Sequence, residues 1–237
     1  YIVVPFRPRK RDKAVGCCNF CQFVIFLPGM LEETARMNDR INVNGFQIFH
    51  GHLSATSQRD LLEPLRDVIR AAPLYQPMTP GGRQMSVRMT SAGQFGWFSD
   101  RKGYRYVDRH PDGTPWPPIP TEILTIWRTL TDSSRDPECC LFNLYGPKAR
   151  MGLHQDKDET DFSHPVLSIS LGCAGLFRMG QTARGGRTAS VWINSGDVVL
   201  MGGPARLAHH GVDRIRPGSL TLLGPDQRLN LTLRVVT

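Results

Sequence analysis

The sequence has no run of about 18 apolar residues, the length that a membrane-spanning helix requires, so none is expected in its 237 residues. Cysteine is scarce and clustered: Cys17, Cys18, Cys21, Cys139, Cys140 and Cys173 lack the spread of a disulfide framework, which argues for a reducing, cytoplasmic compartment. Cys18-x-x-Cys21 has no second pair at zinc-finger spacing, so a structural zinc site is not expected there. Acidic residues are the minority, 21 against 29 Lys+Arg, giving a formal charge of +8 and a pI near 9.5. That balance favours polyanionic partners such as nucleic acid without specifying one.

The hydrophobic share of 40% supports one sizeable globular core. Residues 1–36 read differently from the rest. A basic run (Arg7, Arg9, Lys10, Arg11, Lys13) precedes an apolar stretch from Phe20 to Leu27, too short to cross a bilayer. That order also suits a signal-like or transit-like segment. The preferred expectation is an upstream extension, with Met37 as the natural start and one domain over 37–237.

From Gly45 the pattern becomes regular. A short strand is expected at Gln47 to Phe49, then a helix from Ser57 to Ala71 with Leu61, Leu62, Leu65, Val68 and Ile69 on one face. Ser57 is its expected cap, and Pro64 should kink or delay it. Gln84 to Thr90 alternates as a strand does, and Pro120-Thr121 opens a second helix carrying Ile123, Ile126, Trp127 and Leu130. Between them, Ser91 to Pro118 is rich in Gly, Pro and aromatics and too long for an idle connection. Its rings (Phe95, Trp97, Phe98, Tyr104, Tyr106, Trp116) interleave with Arg101, Lys102, Arg105 and Arg109. Aromatic faces with nearby cations suit single-stranded nucleic acid, although Phe98 and Trp116 are expected only to pin the loop to the core.

Two patterns carry the chemistry. In His154-Gln155-Asp156 the outer residues of an extended segment point to one side, so both can close on one ion while Gln155 points away. An isolated His-x-Asp is more often a surface histidine beside a solvated aspartate. A third ligand from the distant Leu207-Ala208-His209-His210-Gly211 would complete two imidazoles and a carboxylate, the facial set for Fe(II) that leaves positions open for co-substrate and oxygen. The second pattern is Arg228-Leu229-Asn230-Leu231-Thr232-Leu233-Arg234-Val235, whose alternation puts four apolar residues on one face and Arg228, Asn230, Thr232 and Arg234 on the other. Such a polar face ordinarily meets water. Alternatively, its two guanidinium forks could grip a dicarboxylate inside a small barrel, as a 2-oxo acid feeding electrons to an iron would require.

Together with Asn143-Leu144-Tyr145, Thr79-Pro80-Gly81-Gly82, Trp97, Tyr104, Ser168-Ile169-Ser170-Leu171-Gly172 and Ser195-Gly196-Asp197-Val198-Val199, the run His154 to Glu159 and the Arg228 to Arg234 strand resemble the AlkB family of Fe(II)/2-oxoglutarate dioxygenases. The likeness runs in order from about Gly45 to the C-terminus. It implies an α+β fold: a double-stranded β-helix (jelly-roll-like) core over about 139–237, N-terminal helices, and a nucleotide-recognition lid over about 79–118. Strands are expected at Leu167 to Leu171, Leu176 to Met179, Ala189 to Ile193, Val198 to Met201 and Leu229 to Val235, separated by glycine turns.

The resemblance also implies roles. Fe(II) is held by His154, Asp156 and His210, with His209 the non-ligand of its pair. 2-Oxoglutarate is bound by Asn143 and Tyr145, with Arg228 at its distal carboxylate, Asn230 nearby and Arg234 at the metal end. Trp97 stacks on a flipped base, Tyr104 and Tyr106 lie along the nucleotide, and Asp158 meets the base edge, unless it pairs with Lys157 or Arg184. Arg184 touches substrate, although Gly180-Gln181 stands where the family often has two glycines, which leaves the loop's shape open. The activity implied is oxidative demethylation of 1-methyladenine and 3-methylcytosine in single-stranded DNA or RNA by a monomer without membrane or obligate protein partner. The alternatives are an RNA or tRNA demethylase, a 2-oxoglutarate hydroxylase of protein or small molecules, and a non-catalytic nucleic-acid binder.

Overall fold

The structure is a computed structural model and describes residues 40–237. The expectations for residues 1–36, Met37, Cys17, Cys18 and Cys21 fall outside that range. Among the described residues no helix is long and apolar enough to cross a membrane.

Two antiparallel sheets face each other. The larger is built, in spatial order, from β1 (Arg40–Val43), β2 (Phe46–Phe49), β11 (Val198–Met201), β8 (Val166–Gly172), β13 (Arg228–Arg234), β6 (Cys139–Tyr145) and β3 (Arg88–Gly93). The smaller runs β10 (Ala189–Ile193), β9 (Gly175–Met179), β12 (His210–Ile215) and β7 (Met151–His154). This is the double-stranded β-helix expected of the core, with helices on the outer face of the larger sheet.

The strands β8 and β13 are buried along their whole length, and β6 at every residue but Leu144, so their alternation does not separate core from water. Leu229, Leu231 and Leu233 join Phe142, Leu167, Ile169 and Leu171 in an apolar cluster that the helices cover through Leu65, Val68, Ile123 and Trp127. The opposite face looks into the space between the sheets. There the antiparallel register sets Asn230 between Asn143 and Ser170, and Arg228 between Tyr145 and Gly172. At Asn230 polar side chains are thus stacked across three central strands, whereas Thr232 and Arg234 meet Leu141 and Cys139 on β6, and the polar row of β13 faces the space between the sheets rather than bulk solvent.

Several boundaries differ from expectation for local reasons. The first helix is two: α1 (Ala55–Asp60), capped by Ser54, whose Oγ accepts from the Ser57 amide at 3.0 Å, and α2 (Leu62–Ala71). Pro64 explains the break, because it has no N–H to give to the preceding turn, and in the first turn of a new helix that amide has no helical partner anyway. A third helix, α3 (Thr121–Leu130), follows Pro120 and buries Ile123, Ile126 and Trp127. The strand expected at Gln84 to Thr90 begins only at Arg88.

The stretch from Ser91 to Pro118 is not irregular throughout. It contains a hairpin of β4 (Gly96–Asp100) and β5 (Gly103–Val107), with Trp97 opposite Tyr106 and Ser99 opposite Tyr104. Trp97, Tyr104 and Tyr106 therefore share one face. Trp116 is buried against this hairpin and donates from Nε1 to the Val107 carbonyl at 2.9 Å. Gly96 makes that approach possible, since a Cβ there would stand 2.3 Å from the indole ring of Trp116. Phe98 lies under the Arg105 guanidinium, 4.8 Å from its ring centre.

Candidate metal and co-substrate site

His154 ends β7 and His210 begins β12, and the two are direct partners in the ladder. Asp156 lies just beyond the end of β7. One ligand atom from each of His154, Asp156 and His210 lies within 4.8 Å of the other two. The Nε2 atoms of His154 and His210 stand 3.6 and 3.7 Å from the Asp156 carboxylate oxygens. Each imidazole has Nδ1 against a backbone carbonyl, His154 on Gly152 at 2.9 Å and His210 on Ala208 at 3.0 Å. A carbonyl oxygen only accepts, so both Nδ1 atoms carry a proton and Nε2 of each ring is the atom turned toward the carboxylate. That tautomer is the one a divalent metal needs.

Burial pushes His210 down to about 4, helped by the neighbouring His154, which keeps it neutral at physiological pH. Burial alone would raise the Asp156 carboxyl. The Arg234 guanidinium beside it outweighs that effect and holds it well below the usual carboxylate range. Arg234 donates to Asp156 Oδ2 from Nε at 3.1 Å and from Nη2 at 2.8 Å. Gln155 points away from the trio, and its amide donates to the Leu207 and Thr182 carbonyls, tying β7 to the loop that leads into His210.

These groups line a cavity of about 410 Å³ between the sheets, a size suited to a small co-substrate with part of a larger substrate. Asn143, Tyr145, Arg228, Asn230 and Arg234 all line it, as do Ser168 and Ser170. Asn230 donates to Ser168 Oγ at 2.6 Å and Arg228 to Ser170 Oγ at 2.7 Å, so the two serines of β8 orient the polar row. Arg228 also donates to the Cys173 and Ile193 carbonyls, each at 3.2 Å. Among the described residues no carboxylate pairs with it, and burial pushes its guanidinium down to about 10.

A buried cation without a counterion is costly to keep. Arg228 Nε and Arg234 Nη1, both buried, have no hydrogen-bond partner in the protein. Arg228, Arg234 and the three metal-binding residues line one cavity, a set that suits a dicarboxylate that also reaches a metal. The residues therefore fit Fe(II) and 2-oxoglutarate.

At the mouth stand Trp97, Tyr104, Asp158 and Arg184. Trp97 stacks on Tyr104 with ring centres 5.4 Å apart, and its Nε1 donates to Asp158 Oδ2 at 2.9 Å. Asp158 pairs with this indole, not with Lys157 or Arg184. Tyr106 does not line the cavity; its hydroxyl donates inward to Glu159. His209 lies at the rim with Nδ1 on the Gln181 carbonyl at 3.0 Å.

Sequence reasoning passed over Glu159, Arg206 and Gly175. Glu159 hides in an acidic run that looks solvated. Arg206 had a signal: it is a lone charge in Pro204-Ala205-Arg206-Leu207-Ala208, and it is only 4% exposed. Its guanidinium donates to the Asp156 carbonyl at 2.7 Å, the His164 carbonyl at 2.7 Å and Glu159 Oε2 at 3.0 Å. Gly175 lies against Arg228, whose Nε would be 2.8 Å from a Cβ at that position.

The two sheets and the His-Asp-His cavity define a class, and comparison with known proteins gives the same one: the profile of the 2OG-Fe(II) oxygenase superfamily matches residues 45–234. The chain is 51% identical over 193 residues to an alpha-ketoglutarate-dependent dioxygenase AlkB homolog of Caulobacter vibrioides, covering 81% of this chain and 88% of that one. It is 38% identical over 181 residues to the alpha-ketoglutarate-dependent dioxygenase AlkB of Escherichia coli K12, covering 73% and 82%. The solved structure of OsALKBH1 superposes with a TM-score of 0.69 at 29% identity, covering 82% of this chain and 98% of that one. The chain belongs to the AlkB family of Fe(II)/2-oxoglutarate-dependent dioxygenases. Its cofactor is Fe(II), and 2-oxoglutarate and O2 are its co-substrates.

Gly175→Ala should push Arg228 off its three anchors. The expected outcome is a Kd for 2-oxoglutarate raised about tenfold, equivalent to about 1.4 kcal/mol, with metal affinity retained. Anaerobic titration of both ligands checks it, and an unchanged 2-oxoglutarate Kd would contradict this account of Gly175.

Proposed function

We propose that this dioxygenase removes N-methyl groups from 1-methyladenine and 3-methylcytosine in single-stranded DNA, restoring the base and releasing formaldehyde and succinate. The observation that carries the reading is at the mouth of the cavity, where the carboxylate of Asp158 and the stacked rings of Trp97 and Tyr104 stand over the His-Asp-His trio. Methylation at N1 of adenine or N3 of cytosine makes the base cationic. A carboxylate beside an aromatic face therefore favours the damaged base over the normal one, by charge and by stacking.

His154, Asp156 and His210 would hold the iron. Arg228, Asn143, Tyr145 and Asn230 would seat 2-oxoglutarate, with Arg234 at the metal end. When bound, the iron supplies the oxidation: one oxygen atom of O2 goes to succinate as carbon dioxide is lost, and the other goes to the methyl carbon. The resulting hydroxymethyl group leaves as formaldehyde without further catalysis. The protein's remaining tasks are placement and exclusion of water. Trp97 would stack on the target base and Asp158 would take its exocyclic N–H, while Tyr104 and Arg184 sit where the strand would pass, at the rim.

A stacked base cannot reach an ion set between two sheets, so the target must be turned out. Turning it out costs least from a single strand or a damaged pair, which supports the single-strand preference. The +8 charge supports a polyanionic substrate.

Anaerobically iron-loaded protein, given 2-oxoglutarate and then air, should release formaldehyde from a single-stranded oligonucleotide carrying either lesion. It should do so faster than from the duplex at low salt, and Asp156→Ala should abolish the activity. A faster reaction on methylated RNA would move the assignment to an RNA or tRNA demethylase. Failure on both polymers, with 2-oxoglutarate consumed on another substrate, would mark a hydroxylase.

Asp158→Asn keeps an acceptor for the Trp97 indole and removes the charge. It should raise KM for the cationic lesions about tenfold while leaving a neutral methylated base nearly unaffected. Equal losses on both would show that Asp158 acts by shape and not by charge.

A further inference from the structure

Glu159 is 5% exposed, yet its carboxylate meets three segments of the chain. Oε2 accepts from Arg206 at 3.0 Å, in the segment that runs into His210. Oε1 accepts from the hydroxyl of Tyr106 on β5 and lies 3.3 Å from Arg234 Nε on β13. The lid hairpin and the co-substrate arginine thus share a single oxygen atom. Burial pushes ionisation of the Tyr106 hydroxyl well up, so it remains a donor.

From this oxygen, two routes lead to the metal end. Arg234 passes the contact to Asp156 Oδ2 through two hydrogen bonds, and its Nη1 remains unmet. Arg206 holds the Asp156 backbone carbonyl with Nη1. Neither Tyr106 nor Glu159 lines the cavity, and Arg234 is the side chain that joins their contact to the cavity wall.

We propose that Glu159 is a positioning residue that couples the lid to the co-substrate end of the pocket. When nucleic acid binds against the β4–β5 hairpin and holds it in place, the Tyr106 hydroxyl fixes Glu159, Glu159 fixes Arg234 between two carboxylates, and 2-oxoglutarate binds more tightly. The inference rests on the proposed reading that Arg234 meets 2-oxoglutarate. Coupling of this kind is reciprocal, so 2-oxoglutarate must tighten oligonucleotide binding by the same factor. A purely structural role, in which Glu159 only neutralises two buried arginines, would alter stability and leave that factor unchanged.

The test is 2-oxoglutarate titration of the anaerobic Fe(II)-loaded full chain, with and without a single-stranded oligonucleotide carrying 1-methyladenine. In the wild type the oligonucleotide should lower the 2-oxoglutarate Kd about fivefold or more. Tyr106→Phe removes one hydroxyl and should bring that ratio close to one. Glu159→Gln should do the same and also weaken 2-oxoglutarate binding without oligonucleotide. If Glu159→Gln fails to fold, Tyr106→Phe carries the test alone.

A wild-type ratio of one overturns the proposal, as does a Tyr106→Phe ratio equal to wild type. A Glu159→Gln variant with a lowered Tm and an unchanged ratio also overturns it and assigns Glu159 to structure alone. Arg234→Lys keeps the charge and loses the fork. If it binds 2-oxoglutarate as the wild type does, the premise about Arg234 fails, an outcome separable from failure of the coupling.

Discussion

The contact on which the rest of this molecule depends is the buried pairing of Arg234 with Asp156. A carboxylate placed between two imidazoles and cut off from water must have a countercharge, or it would take up a proton and lose its value as a metal ligand. Arg234 supplies that charge from the end of β13 at 2.8 Å. To do so it must itself be buried, which requires Glu159, which in turn is balanced by Arg206. Two carboxylates and two guanidinium groups thus form a neutral set, each member held by at least one of the others.

Arg228 stands apart from that set, and this shapes the pocket. It contributes a positive charge with no carboxylate in direct contact at the far end of the same strand face, held by carbonyls and a serine hydroxyl. On the proposed reading, Fe(II) would add two positive charges at the other end, and 2-oxoglutarate would add two negative ones between them. Metal and co-substrate together would leave the net charge of the pocket as they found it. The strand register contributes to this: Asn230 meets Asn143 and Ser170, and Thr232 meets Ser168, so one antiparallel alignment gathers the middle of the polar row.

Much of this was legible in the sequence because it repeats with a short period. The alternation from Arg228 to Val235 reveals a strand with two unlike faces, and the His-x-Asp spacing reveals two ligands on one side. The order of motifs leads to the family and its double-stranded β-helix. What sequence reading passed over joins residues far apart along the chain. Nothing near Glu159 says that it will be buried, because its partners Tyr106, Arg206 and Arg234 come from three other segments. The family resemblance sets Tyr106 along the nucleotide, and nothing in the sequence shows that its hydroxyl also donates to Glu159. The hairpin itself gives little signal: Tyr104-Arg105-Tyr106 alternates over only three residues, and Trp97-Phe98-Ser99-Asp100 does not alternate at all. In the helices, Pro64 signalled a disturbance, and the backbone answers with two helices and a new start at Leu62.

The central claim is that a single cavity holds the iron chemistry and receives the methylated base. It is tested most directly by counting both products of one reaction, succinate and formaldehyde, with iron-loaded protein and a single-stranded oligonucleotide carrying 1-methyladenine. One formaldehyde is expected for each succinate formed above the level without oligonucleotide. Succinate production that rises with the methylated strand while no formaldehyde appears would contradict it.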